Sequence, residues 1–137
     1  MTAVVLDTSV IISLLQPRPS YVAAHWSRLD ADTEAVLSSI VAAEVAEGFH
    51  ASSNSRRERR VYAAIVEGVT SHEFGFDAAE SFGRIRAALR KQGNSIGTAD
   101  EMIAAHALAL GADVATLNAA DFRRVPGLRV RDWSVAA

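Results

Sequence analysis

Three acidic residues fall at strand–helix junctions or amid apolar neighbours, where an unpaired carboxylate is costly. Asp7 ends the apolar run Ala3-Val4-Val5-Leu6, which reads as a short buried strand. A polar residue just past the C-terminal end of a parallel strand points into the crevice where such sheets bind ligands. Glu44 interrupts Ile40-Val41-Ala42-Ala43 and Val45-Ala46, one helical turn from Ile40 and Val41 and so on their inward side. Asp100 heads the stripe Ile103, Ala104, Ala107, in the first turn of a helix whose positive dipole end tolerates an anion. Each has a plain structural alternative: a helix cap for Asp7, a core ion pair for Glu44, an ordinary first-turn acid for Asp100. Three such placements are harder to dismiss than one.

Thr116, Asn118 and Asp121 add further oxygens, and the last two share a face if their turn is helical. An oxygen-only set drawn from four junctions suits a hard cation such as Mg²⁺ or Mn²⁺. Carboxylates gathered without a cation would repel one another, so the cluster implies a metal. Such a metal can activate water and stabilise the oxygens of a phosphodiester under in-line attack. Other chemistries fit less well. His25, His50, His72 and His106 lack ligand spacing, cysteine is absent and the 8 glycines form no phosphate loop. A phosphoacceptor receiver domain would want an acid pair before its phosphorylated Asp and a lysine after the last core strand. Lys91, the only lysine, is misplaced for that. An Asp-x-Asp phosphatase fails at Ser9, where its second acid belongs.

The elements that must position these residues alternate along the chain. Thr8 and Ser9 are suited to cap a helix over residues 10–15. Pro17 and Pro19 break the pattern, and Ser20 caps a helix over 21–29. A strand over 35–38 leads through a cap at Ser39 into the Glu44 helix. An arginine-rich helix over 56–69 and a short third strand over 73–76 follow. Capping-box patterns at Asp77-Ala78-Ala79-Glu80 and Thr98-Ala99-Asp100-Glu101 open two more helices, which stop before Gly93 and Gly111. A strand over 113–116, a turn over 118–122 and an edge strand over 128–130 complete the chain. Strands separated by helices imply an α/β domain with a central, mostly parallel sheet of four to five strands and helices on both faces. Residues 1–137 read as one domain.

With 137 residues, half of them hydrophobic, the chain can bury a real core. No apolar run is long enough to span a bilayer and no signal-like segment opens the chain, so a cytoplasmic location is expected. A net charge of -2 argues against broad, nonspecific nucleic-acid binding. The positive charge is nevertheless grouped and almost all arginine: Arg56, Arg57, Arg59 and Arg60; Arg84, Arg86, Arg90 and Lys91; Arg123, Arg124, Arg129 and Arg131. Arginine suits bidentate contacts to phosphate, though any single group also fits a solvated helix face.

Taken together, Leu6-Asp7-Thr8-Ser9, the Glu44 helix, Thr98-Ala99-Asp100-Glu101-Met102-Ile103-Ala104-Ala105 and Ala115-Thr116-Leu117-Asn118-Ala119-Ala120-Asp121-Phe122 resemble the PIN domain. The likeness is to VapC-type ribonuclease toxins of bacterial toxin–antitoxin pairs. It runs nearly end to end, through the closing Val125-Pro126-Gly127-Leu128-Arg129-Val130-Arg131-Asp132-Trp133. The resemblance implies Mg²⁺- or Mn²⁺-dependent cleavage of RNA (tRNA or rRNA), a homodimer, and inhibition by a cognate VapB-like antitoxin. It places Asp7, Glu44 and Asp100 as catalytic, metal-holding acids, with Thr8, Ser9, Thr116 and Asn118 in support. Where many members carry a fourth Asp, two residues past the Thr, this chain has Asn118. That leaves Asn118 or Asp121 to complete the metal set. Arg56, Arg57, Arg84 and Arg86 are the expected RNA contacts, and Tyr21, Trp26 and Phe49 are candidate base-stacking rings. Val22, Trp26, Leu29, Val41, Val45 and Phe49 offer apolar surface, part of it core and part a groove for an antitoxin helix. The competing reading is a catalytically inactive PIN-like interaction module.

Overall fold

Val4, Val5 and Leu6 are all fully buried. Successive strand side chains point to opposite faces, so both faces of the strand they form are covered. That strand, β1 (Thr2–Leu6), is the middle of a five-stranded, wholly parallel sheet. On one side lie β2 (Thr33–Ser38) and, at the edge, β3 (Thr70–His72); on the other lie β4 (Asp113–Thr116) and the edge strand β5 (Val130–Asp132). The computed structural model describes residues 2–137. Seven helices connect the strands: α1 (Thr8–Leu15), α2 (Tyr21–Ser27), α3 (Ser39–Ala51), α4 (Arg56–Gly68), α5 (Phe76–Lys91), α6 (Thr98–Leu110) and the single turn α7 (Ala119–Phe122). No helix among the described residues is long and apolar enough to cross a membrane.

Several boundaries differ from the sequence reading, each for a local reason. The third strand is Thr70–His72 rather than 73–76, because it pairs with Val36 to Ser38 and ends where β2 ends. The last strand is Val130–Asp132 rather than 128–130: Gly127, at φ 79°, still belongs to the preceding turn. Arg129 Nε and Arg131 Nε then clasp Asp113 at 2.6 and 2.9 Å, tying β5 to β4. Asp7 itself caps α1, so Thr8 and Ser9 are inside the helix with their hydroxyls free for other partners. Ser38 rather than Ser39 caps α3; Ser39 Oγ accepts the Phe74 N–H at 2.9 Å. Neither capping box forms: Gly75 and Gly97 precede α5 and α6, and neither helix has a side-chain cap. Gly97 sits at φ 102°, which only glycine adopts readily, and this lets the chain turn directly into α6.

Candidate active site

Strand order reverses at β1, since β2 and β3 add to one side and β4 and β5 to the other. The adjacent C-terminal ends of β1 and β4 therefore frame the crevice where open α/β sheets bind ligands. Asp7 follows β1 directly and is only 2% exposed. Its Oδ1 accepts the Thr8 N–H at 2.8 Å, and its Oδ2 accepts the Ser9 and Thr116 hydroxyls at 2.7 and 2.8 Å. Thr116 ends β4, so this last bond closes the crevice from across the sheet. Three donors, two on α1 and one at the end of β4, fix the direction of the carboxylate.

The supporting oxygens knit the junctions together. Thr8 Oγ1 donates to Glu44 Oε1 at 2.5 Å, joining α1 to α3. Ser9 Oγ accepts the Leu117 N–H at 3.1 Å, and Thr116 Oγ1 accepts the Asn118 N–H at 2.9 Å. Glu44 is half-buried, on a helix that buries only the stripe Val41, Val45 and Phe49 rather than being sunk on all sides.

Asp100 lies half-buried in the first turn of α6, and its carboxyl is pushed up to about 7. Burial contributes most, followed by the negative charges of Asp7, Glu44, Asp121 and Glu101. Four of the sequence-selected acids thus share one electrostatic field. They do not close into a cage: among the described residues, no three acidic or histidine side chains converge as a ready metal-binding group. The donor set is entirely oxygen and carries excess negative charge, which fits a hard divalent cation and no softer one.

The raised Asp100 pKa has a consequence for stability. Between pH 4 and 7 the folded chain holds a proton on Asp100 that the unfolded chain has released. The contribution of Asp100 to stability is therefore complete below its unfolded value and is lost as pH rises through its folded value. In EDTA, the melting temperature of the parent relative to Asp100→Asn should fall from pH 4 to pH 7 and level off above it. Parallel melting curves for the two proteins across that range would contradict the shared field.

The fourth position is divided. Asn118 precedes α7, is exposed and makes no side-chain cap bond. Asp121, with its side chain 45% exposed, lies 3.7 Å from Arg124 Nη2 and also adds to the field at Asp100. Of the expected RNA contacts, Arg56, Arg57 and Arg84 are exposed and Arg86 is half-buried. Arg57 Nη1 donates to the Leu15 carbonyl at 2.7 Å, closing the end of α1. Arg86 is turned inward, donating to Glu101 Oε1 at 2.9 Å and Thr98 Oγ1 at 3.0 Å, so its guanidinium is already engaged.

Glu101 is the residue sequence reasoning misjudged. It is fully buried, and besides Arg86 it accepts the Ser95 hydroxyl at 2.9 Å and the Ile96 N–H at 3.0 Å. It pins the 92–97 loop onto the first turn of α6 and so fixes the backbone that carries Asp100. The available signal was its spacing, three and four residues before the buried Ala104 and Ala105. None of the histidines hydrogen-bonds to Asp7, Glu44, Asp100 or Asp121 among the described residues, and His72 pairs with Glu34 at 3.0 Å. His106 is buried against Ser38 Oγ at 2.8 Å, with burial and then His72 holding its pKa below the usual imidazole range. His25 stacks on Trp133 with ring centroids 5.3 Å apart. The expected apolar groove is also reduced: Val22, Val41, Val45 and Phe49 are core, while Trp26 and Leu29 are half-buried against it. An open cleft runs instead along α1, lined by Thr8, Ser9, Ile12 and Ser13.

The chain matches the PIN domain family over residues 4–128. It is 34% identical over 129 residues to Ribonuclease VapC1 of Haemophilus influenzae (strain R2866), covering 94% of this chain and 96% of that one. It is 32% identical over 134 residues to the tRNA(fMet)-specific endonuclease VapC of Shigella flexneri, covering 98% and 100%. Its fold superimposes with a TM-score of 0.89 on a chain from the crystal structure of VapBC2 from Rickettsia felis bound to a DNA fragment from their promoter. That pair is 25% identical, covering 96% of this chain and 99% of that chain.

Proposed function

Because this chain belongs to the PIN domain family, we propose that it is a metal-dependent endoribonuclease, the toxin of a VapBC-type toxin–antitoxin pair. The observation that carries the reading is Asp7, buried at the switch point and aimed by three donors, with Asp100 electrostatically coupled to it. The names of the relatives support RNA, including tRNA, as the substrate class. The solved VapBC complex supports a VapB-like antitoxin as partner. The working unit is the single domain 1–137, acting in the cytoplasm as a homodimer.

In this reading Asp7, Glu44 and Asp100 hold Mg²⁺ or Mn²⁺, with Asp121 as the fourth acid and Asn118 offering at most a neutral amide oxygen. A divalent cation bound there supplies positive charge against the phosphodiester oxygens and acidifies water. The protein supplies orientation. Ser9 and Thr116 fix Asp7, Thr8 fixes Glu44, and Glu101 fixes the turn that bears Asp100. Arg56 and Arg84 are exposed, form no ion pair among the described residues and are the arginines offered to RNA phosphates, Arg84 Nη2 touching only Ser81 Oγ at 3.5 Å, whereas Arg57 and Arg86 act chiefly as braces.

Expression of this chain alone in a bacterial host is expected to arrest growth. Co-expression with a VapB-like antitoxin encoded beside it should relieve the arrest and yield a stable, inactive complex. Unhindered growth on expressing the folded chain alone would favour the inactive interaction module.

A further inference from the structure

A cleft of about 520 Å³ is lined by Thr8 and Ser9, whose hydroxyls bind Glu44 and Asp7, together with Ile12, Ser13, Pro19 and Leu117. It adjoins a second hollow that shares Ser13, Pro19, Ser20 and Leu117 and is further lined by Tyr21, Val22 and Ser134. The path therefore starts at the hydroxyls that orient Glu44 and Asp7 and follows α1, which rises about 12 Å over its length. Its surface is mixed. Ile12 and Leu117 are apolar, while Ser9, Ser13 and Ser20 bring hydroxyls, Ser13 and Ser20 lying 3.4 Å apart. Arg18 lines the wall, is exposed and forms no ion pair among the described residues. Tyr21 is 55% exposed. Phe49 is core and Trp26 packs half-buried against it, so Tyr21 is the one of these three rings that offers a free face.

We propose that the cleft from Thr8 to Tyr21 is a single-strand RNA subsite, in which Tyr21 stacks a base and Arg18 pairs with a backbone phosphate. The inference rests on the ribonuclease reading and adds where the strand runs. An aromatic face, a free cation and hydroxyls along one path are what sequence-tolerant single-strand binding uses. A strand leaving four carboxylates also needs a compensating positive charge, and Arg18 is the basic residue lining the cleft. A docked apolar helix would instead have to bury the unpaired guanidinium and the serine hydroxyls.

The test uses the full chain and a random-sequence pool of 2′-O-methyl oligoribonucleotides, which bind but resist cleavage, followed by fluorescence anisotropy in EDTA. Tyr21→Ala is expected to weaken binding about five- to 150-fold, the range for loss of one stacked base. Tyr21→Trp should retain parental affinity. Arg18→Ala should flatten the dependence of log K on log salt by about 0.7, the release expected for one single-strand phosphate contact. With cleavable RNA, both alanine variants should raise KM more than they lower kcat, at unchanged melting temperature. Parental RNA binding by both alanine variants overturns the subsite, as does a loss confined to antitoxin affinity, which would make the cleft a protein-docking surface. A parent that neither binds nor cuts RNA removes the ribonuclease reading itself, whereas a cutting parent with indifferent variants removes the subsite alone.

Discussion

Asp7→Asn is expected to lower RNA cleavage by at least about a hundredfold while leaving the protein folded. Changes to groups that only orient metal ligands cost about 10–100-fold, so loss of the charge on an acid proposed to hold the cation should cost no less. The fold survives because the asparagine Oδ1 can still accept the Thr8 N–H that caps α1. Its Nδ2 faces the Ser9 and Thr116 hydroxyls, which keep acceptor capacity beyond the Leu117 and Asn118 N–H groups they already bind. The cost is the replacement of charge-assisted bonds by neutral ones, about 1–2 kcal/mol against a typical total of about 5–15. Asp100→Asn should lose cleavage in the same way but gain stability at pH 8 without metal, since it relieves burial of a charge and repulsion from Asp7 and Glu44. Thermal melts beside a cleavage assay separate the two effects. Near-parental, metal-dependent cleavage by either variant would mean that the chemistry lies elsewhere.

Arg86→Ala should be among the most destabilising single changes in the chain. Glu101 is fully buried, and Arg86 is its only cationic partner among the described residues. Stripping one partner from a buried pair costs about 3–5 kcal/mol, because the remaining charge is left uncompensated. Arg86 is itself 27% exposed, so water can partly replace it and the lower end, about 3 kcal/mol, is expected. For a chain of this length that corresponds to a fall of roughly 10 °C in melting temperature. Adding Glu101→Gln should restore much of the loss, since a neutral amide oxygen can still accept from Ser95 and Ile96 without a buried charge. Such a rescue is the non-additivity expected of directly coupled residues. A single variant that melts within a degree or two of the parent would show that Glu101 does not depend on Arg86. Residual activity of the folded variant should also fall, because the loop and turn carrying Asp100 lose their anchor.

The parts of this arrangement legible in the sequence were those encoded locally. An apolar run ending in an acid marks β1 and Asp7, and Gly111 marks the end of α6. The alternation of strands and helices gave the parallel sheet, and with it the crevice. What escaped was encoded at long range or on weak pattern. β3 is three polar residues, Thr70, Ser71 and His72, whose strand state comes only from pairing with β2. The partners of Arg57 and Arg86 lie 42 and 15 residues away, so neither arginine could be told from a solvated one by its neighbours. Asp100 and Glu101 are adjacent acids in one first turn. Only the packing of α6 shows that the second is buried and paired while the first faces the other acids. Neither capping box forms, because each helix begins one or more residues before the pattern predicts, after Gly75 and Gly97, with no side-chain cap.

The most direct test of the account is to incubate the purified protein with total RNA in Mg²⁺ or Mn²⁺, and separately in EDTA, and to map the new RNA ends. Cuts at discrete positions are expected with the cation, as are their disappearance in EDTA, their return on adding the cation back, and their absence with Asp7→Asn. Cuts that persist in EDTA, or that Asp7→Asn makes as readily as the parent, would contradict it.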